Sequence, residues 1–265
     1  MFYLVGIGLG DEKDLTLRAV EVLKNCEEVY FESYTSIYRG DLKKLEKLID
    51  KKLIFADRKM VEVDCNVILE KAKKSDVALL IMGDVFSATT HADIILRASE
   101  MKIEVSVIHN ASVLTAIGDC GLSLYKFGKI ASIPFVTDGW KVESPYDMLK
   151  ENKDSHTLFL LDLKVNENSK NFQGLGIAQT KENKTMTFNE AIEFLMKIED
   201  KRKEKLISEK TNVVALAGLG DSKAEIFYGP ISKILKKKSN IYPQCLIIPG
   251  KLHFIEEEML DRFKV

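Results

Sequence analysis

The chain has 265 residues, 39 basic and 40 acidic side chains and a formal net charge of −1, so a general basic field of the kind that grips nucleic acid is excluded. The length exceeds that of one usual domain and predicts either two domains or one large α/β domain, with core enough to fold without disulfides or metals. Cys26, Cys65, Cys120 and Cys245 are far apart, with no C-x-x-C pair and no zinc spacing; the first residues lack a secretory signal, and no apolar run approaches the roughly 20 residues that span a bilayer, so a cytoplasmic enzyme is expected.

The apolar run Phe2 to Ile7 ends in glycines and predicts a buried strand. Leu15, Ala19, Val22 and Leu23 follow at i, i+4, i+7 and i+8, the stripe of an amphipathic helix. Glu28 to Phe31 is a second strand. Lys43, Lys44, Lys47, Lys51 and Lys52, and later Lys236 to Lys238, suit a solvated helix face; a docking patch for an acidic macromolecule is the alternative. Val77 to Met82 is the clearest buried strand, running through Gly83 and Asp84 to a helix that Thr89 or Thr90 would cap. Glu104 to Ile108 is another strand, and Ser112 would cap a short helix through Ile117. Such alternation predicts a parallel sheet covered on both faces.

A loop-rich stretch from Gly118 to about Tyr146 marks a domain junction at its start, giving an N-terminal α/β domain over 1–117 and a C-terminal α/β domain over 118–265. Thr157 to Leu163 opens the second domain as a strand. Residues 164–187 are polar and without period, and are expected to be a surface insertion. Phe188, Ile192, Leu195 and Glu199 mark a helix, Val213 to Ala217 and Cys245 to Ile248 mark strands, and Ile255, Met259, Leu260 and Phe263 mark a last helix.

Three loops carry candidate chemistry. Val5-Gly6-Ile7-Gly8-Leu9-Gly10-Asp11 follows the first strand, and its glycines let a ligand approach the backbone. A dinucleotide-binding loop wants G-x-G-x-x-G; here Asp11 stands at the third glycine position, and Asp11, Glu12 and Asp14 would repel a pyrophosphate while suiting a cationic sulfonium. Glu32, at the spacing of a ribose-binding acid, keeps a nicotinamide enzyme open, as does a plain tight turn with no ligand. Gly83 to His91 sits at the carboxyl end of the best strand, with Asp84 as an acceptor for a ribose or an ammonium group, or as a simple turn or cap residue. His91 is either a structural histidine or a proton acceptor, and His109-Asn110-Ala111-Ser112-Val113 opens another helix. Neither a Ser/His/Asp order nor a histidine metal site is visible in the sequence.

Taken together, FYLVGIGLGDEKDLTLRAVEVLKNCEEVYFESYTS, GDVFSATTHADIILRA, VIHNASVLTAIGDCGLSLYKFG, TDGW, SPYDML, HTLFLLDLKV and NVVALAGLGD resemble the diphthine synthases, a branch of the tetrapyrrole methylase superfamily, over essentially the full chain. The resemblance implies two unequal α/β domains of the tetrapyrrole methylase type, with a cofactor cleft between them, in a homodimer. It implies S-adenosyl-L-methionine as methyl donor, contacted by Leu9, Asp84, Ser87, Ser112 and Val113 from the first domain and by Leu163, Leu219 and Gln244 from the second, largely through backbone and apolar contact. The usual proline of the second loop is Val85, a glycine common in eukaryotic forms is Ser87, and Gln244 stands where many members carry histidine.

The implied substrate is elongation factor 2, on which a histidine bearing a 3-amino-3-carboxypropyl group is methylated repeatedly at its amino nitrogen. HNAS, LLDLKV and the 164–187 stretch lean towards the eukaryotic reaction, in which a fourth methyl goes to the carboxylate to give diphthine methyl ester. The three-methyl archaeal-type reaction, a corrin or porphyrin C-methyltransferase, a nicotinamide-dependent oxidoreductase and an inactive interaction module are the alternatives. The attacking amine must shed a proton before each transfer; Asp84, His91, His109 and water are the candidate acceptors. No metal is required.

Overall fold

The computed structural model describes residues 1–136, 142–164 and 184–265. Trp140 and most of the predicted insertion lie outside the described residues. The chain divides into two compact units, whose described parts are Met1–Leu114 and Lys164 in the first and Thr115–Leu163 with Lys184–Val265 in the second.

In the first unit, β1 (Phe2–Gly6), β2 (Glu28–Glu32), β3 (Leu53–Ala56), β4 (Val77–Ile81) and β5 (Val105–Ile108) form one sheet in the order β3-β2-β4-β1-β5. All of its pairings are parallel. Every residue of central β4 is buried, and the two-residue period of a strand sends Val77, Leu79 and Ile81 into one core and Ala78 and Leu80 into another. Helices α1 (Leu17–Asn25) and α2 (Leu42–Ile49) cover the second core with Ala19, Leu23, Leu45 and Ile49. Helices α3 (Asn66–Ala72) and α4 (Ala92–Glu100) cover the first with Ile68, Leu69, Ile94 and Ala98. The parallel sheet covered on both faces is thus present.

Helix starts differ from the sequence reading. Thr16 caps α1, its Oγ1 accepting the Ala19 N–H at 3.1 Å, so the helix begins after Leu15. Neither Thr89 nor Thr90 caps α4: the Thr89 hydroxyl donates to the Val85 carbonyl at 2.6 Å, and the helix starts one residue after His91. Lys43, Lys44 and Lys47 do lie on the exposed face of α2.

The second unit is built differently. Its strands β6 (Ala131–Ile133), β7 (Thr157–Leu161), β10 (Asn212–Ala217), β11 (Glu225–Pro230) and β12 (Gln244–Ile248) run in the order β11-β10-β12-β7-β6. Only β6 and β7 are parallel. Leu163–Lys164 (β8) and Lys184–Thr185 (β9) form a separate two-stranded ribbon, so the polar stretch begins and ends in strand rather than loop. Short α5 (Val113–Ala116) leads into this unit. Tyr146 of α6 (Ser144–Asn152), Phe188, Ile192 and Leu195 of α7 (Phe188–Arg202) and Ile231 and Ile234 of α8 (Ile231–Ile234) pack with Phe159, Val213, Ala215 and Leu246 in one core. A capping box, Thr187 with Glu190, starts α7. A second box, His253 with Glu256, starts α9 (Phe254–Asp261). Glu256 also accepts from Ser123 N–H at 2.9 Å and pairs with Lys126 and buried His156, tying α9 to the loop-rich stretch. Among the described residues no helix is long and apolar enough to cross a membrane.

Candidate functional site

Because β4, β1 and β5 are parallel neighbours, the loops leaving their carboxyl ends meet at one edge of the first sheet, where open α/β sheets bind ligands. The first two loops are stitched together: Gly8 N–H donates to the Gly83 carbonyl at 3.1 Å and Gly83 N–H to the Gly8 carbonyl at 2.9 Å. Glycine is required at position 6 by closeness, since a Cβ there would lie 2.6 Å from the Gly83 oxygen. Gly8 has φ +77°, and a Cβ would meet the Asp14 Cβ at 2.6 Å.

Asp14 shapes the first loop. One carboxylate oxygen, Oδ2, accepts both the Leu9 N–H at 3.1 Å and the Gly10 N–H at 2.7 Å. Asp11 instead accepts the Lys13 N–H at 2.9 Å and starts a 3-10 turn over Glu12–Asp14. The acidic residues singled out in the sequence therefore divide their work, and the one that consumes loop donors is Asp14.

Asp84 joins the second loop to the third. Its Oδ1 accepts from Phe86 N–H at 3.1 Å and from the Ser87 hydroxyl at a long 3.4 Å. Its Oδ2 accepts from His109 Nδ1 at 2.7 Å and from Asn110 N–H at 3.1 Å. Burial alone would raise the carboxyl pKa; the donors from Phe86, His109 and Asn110 outweigh it and hold Asp84 below the usual range, as an anion. Asn110 closes the circuit by donating from Nδ2 to the carbonyls of Gly6 at 3.0 Å and Asp14 at 2.9 Å. Buried Ser112 accepts the Leu114 N–H at 3.2 Å, as a cap of α5 would. Leu9, Asp84, Ser87 and Ser112 thus lie on loops gathered at one sheet edge, with Val113 opening α5 beside them; Asp14, read in the sequence only as a charge, and Asn110, read only as part of a helix-opening segment, are the side chains that hold these loops together. A small polar residue just past the carboxyl end of a strand was the available signal for Asn110.

Glu32 and His91 occupy another place. Both side chains are sealed from solvent, with His91 Nε2 2.5 Å from Glu32 Oε2 and His91 Nδ1 3.3 Å from the Val85 carbonyl. Glu32 is therefore not offered to a ribose, and neither nitrogen of His91 is offered to a substrate amine. Among the described residues, His109 Nε2 has no protein partner.

In the second unit Leu163, Leu219 and Gln244 also gather. Antiparallel pairing puts the end of β7, the start of β12 and the end of β10 at the same edge of the second sheet. The Gln244 side chain is committed internally: Oε1 accepts Phe188 N–H at 2.9 Å, and Nε2 donates to the carbonyls of Ser239 at 3.2 Å and Ile241 at 3.0 Å. Leu219 is buried between Gly218 and Gly220, both at positive φ.

The charge balance of the first-unit loops selects ligand type. Asp11, Glu12, Asp14 and Asp84 face Lys13, already paired to Asp11, and His109. Two backbone donors that a pyrophosphate would need are spent on Asp14. The donor set fits a cationic ligand such as a sulfonium. Among the described residues no cluster of His, Cys, Asp and Glu suits a metal ion.

The model of the tetrapyrrole (corrin/porphyrin) methylases matches residues 1–235 of the chain. A diphthine methyl ester synthase of Dictyostelium discoideum is 41% identical over 269 residues, covering 100% of this chain and 98% of its own. That of Homo sapiens is 41% identical over 272 residues, covering 100% and 95%. Among solved structures, a candidate diphthine synthase from Entamoeba histolytica superposes with a TM-score of 0.88 at 40% identity, over 100% of this chain and 98% of that one. A second diphthine synthase superposes with a TM-score of 0.84 at 28% identity, over 99% and 95%.

Proposed function

The chain belongs to the tetrapyrrole (corrin/porphyrin) methylase family and, within it, to the diphthine methyl ester synthases, and from that premise we propose that it methylates the 3-amino-3-carboxypropyl-histidine of elongation factor 2 in diphthamide biosynthesis, with S-adenosylmethionine as donor. Three methyls go to the amino nitrogen and a fourth to the carboxylate, giving diphthine methyl ester. The observation that carries the reading is the first loop: its acids leave a negative field, and its Leu9 and Gly10 N–H groups are already held by Asp14. When bound, the donor supplies a methyl carbon already activated by a positively charged sulfur.

The chain's own part is to hold and orient. Leu9, Asp84, Ser87, Ser112 and Val113 would hold the donor from the first unit, and Leu163, Leu219 and Gln244 from the second. Asp84 keeps a full negative charge while its position is pinned by two backbone N–H groups, so it costs no reorganisation when a cation binds. Orientation of this kind supplies up to about 7–11 kcal/mol of a barrier. We further propose that the enzyme works as a homodimer in the cytoplasm.

The test is transfer of labelled methyl from S-adenosylmethionine to elongation factor 2 carrying the aminocarboxypropyl group, with the product weighed by mass spectrometry after single and exhaustive turnover. Four methyls per modified histidine are expected; three would assign the archaeal-type reaction. No transfer to that protein, with transfer to a corrin or porphyrin ring, would sink the assignment.

A further inference from the structure

We propose that His109, oriented by Asp84, accepts the proton of the substrate ammonium through Nε2; the proposal rests on the methyl-transfer reading above. The Nδ1 atom of His109 lies 2.7 Å from Asp84 Oδ2. An ionised carboxylate only accepts, so Nδ1 carries the hydrogen and Nε2 is left with its lone pair. Asp84 cannot turn away, because Phe86 N–H and Asn110 N–H hold one oxygen each. The Phe86 ring, tilted at 60° with its centroid 5.9 Å away, lies beside the imidazole.

The side chain of His109 is 66% exposed, and among the described residues Nε2 has no protein partner. The other three histidines do not combine these features. His91 is sealed from solvent, with Nδ1 against the Val85 carbonyl and Nε2 in contact with buried Glu32. His156 is fully buried, with Nδ1 accepting Gly250 N–H and Nε2 against Glu256. His253 spends Nδ1 on the Ile255 N–H as a helix cap. Among the described residues, His109 alone couples an oriented imidazole to a free basic nitrogen, and it does so on the loops gathered around Asp84. This is the base-plus-orienter logic of general base catalysis.

The step balances simply. The N–H bond of the ammonium breaks and leaves its electron pair on the amine nitrogen, while the lone pair of Nε2 forms a new N–H bond. The imidazolium that results is stabilised by Asp84 and gives its proton to solvent at the exposed ring edge. The neutral amine is then the nucleophile. Each amine methylation has such a proton to remove. Ester formation has none, because the carboxylate oxygen is already anionic.

That difference gives the test. His109→Asn keeps a donor where Nδ1 was and removes Nε2. We expect its affinity for S-adenosylmethionine, by calorimetry, to stay within about twofold of wild type. The rate of N-methyl transfer to modified elongation factor 2 should fall about a hundredfold or more. The rate of ester formation on the already trimethylated acceptor should change by less than about threefold. In donor-free wild-type protein, long-range proton–nitrogen NMR should show His109 protonated at Nδ1 and not at Nε2. Equal loss of N- and O-transfer, no loss of either, or an Nε2–H tautomer would each overturn the proposal. Wild-type protein that labels no amine on the acceptor would instead remove the substrate reading itself, and the proposal with it, whatever the NMR tautomer.

Discussion

Asp14→Ala removes the single oxygen that accepts both Leu9 and Gly10 N–H groups, at 3.1 and 2.7 Å. A hydrogen bond to a charged acceptor contributes about 1.5–3 kcal/mol. Asp14 is only half-buried, so water replaces part of what is lost, and the lower end applies to each bond. The pair should therefore cost about 2–3 kcal/mol, a fall in melting temperature of about 4–8 °C for a protein of this size. Donor affinity should fall by about tenfold or more, because the loop bearing Leu9 loses its anchor. Asp14→Asn, which keeps an acceptor oxygen but no charge, should recover most of the stability and little of the affinity. Calorimetric unfolding and titration with S-adenosylmethionine measure both quantities. An Asp14→Ala protein that melts within 1 °C of wild type and binds the donor equally well would refute this account of the loop. A gain of NADH binding would do more, showing that the freed N–H groups were a phosphate cradle held shut.

Four further outcomes follow from single contacts. Glu32→Ala strands His91 in a site where both side chains are sealed from solvent, and should cost about 3–5 kcal/mol in urea unfolding; a loss below about 1 kcal/mol would remove the pair as a structural element. Gly121→Ala combines φ +91° with a Cβ 2.3 Å from Met259 Cβ, and should destabilise by about 2 kcal/mol or more; a neutral result would mean α9 shifts freely. His156 is held below the usual imidazole pKa by burial, which outweighs Glu256; Glu256, despite burial, is held far below the usual carboxylate range by Lys126, His253 N–H and Ser123 N–H. Both folded values are depressed, so stability is full above about pH 6.5, falls as the unfolded chain first protonates at His156, and falls again below 4.5; urea midpoints that stay level from pH 7 to 4 would contradict this. Burial pushes the thiols of Cys26 and Cys120 up to about 11 and that of Cys245 to about 12, so a thiol reagent at pH 8 should titrate none of these in native protein and all four cysteines in denaturant.

The sheet that carries the first loops was legible where the chain is most apolar. VALLI is a short apolar run bounded by Gly83 and reads as a strand buried on both faces, and Ala19, Val22 and Leu23 mark the helix against it, with Leu15 falling just before its cap. Strand β3 was not legible: Leu53–Ala56 is a four-residue edge strand behind five clustered lysines, too short to show alternation. Strand β6, three residues among glycines and prolines, was hidden the same way. The same limit applies to the site. Glycines and acids after a strand announce a ligand loop, but the partners of an acid depend on long-range pairing. Asp84 reaches His109 across 25 residues, and Glu32 reaches His91 across the β2–β4 sheet pairing rather than along the chain. Hence the sequence left Glu32 open as a ribose acid and His91 open as either a structural histidine or a proton acceptor, and the structure places the two side chains against each other, sealed from solvent.

That commitment bears on the class of cofactor. A dinucleotide loop needs unspent N–H groups at a helix N-terminus and an accessible acid at the end of the second strand. Here α1 starts at Leu17, after a 3-10 turn and a threonine cap. The nearest loop donors are held by Asp14, and the acid ending β2 is sealed against His91. Each feature alone is compatible with a variant nucleotide loop; together they take the Leu9 and Gly10 N–H groups and the acid ending β2 away from a dinucleotide. What the same atoms stabilise is positive charge: an anionic Asp84, fixed by two backbone donors, beside an imidazole that can take up a proton. A methyl donor with a cationic sulfur and an acceptor that arrives as an ammonium both bring that charge, and relaying a proton from the second to solvent through His109 is the one adjustment the site still has to make.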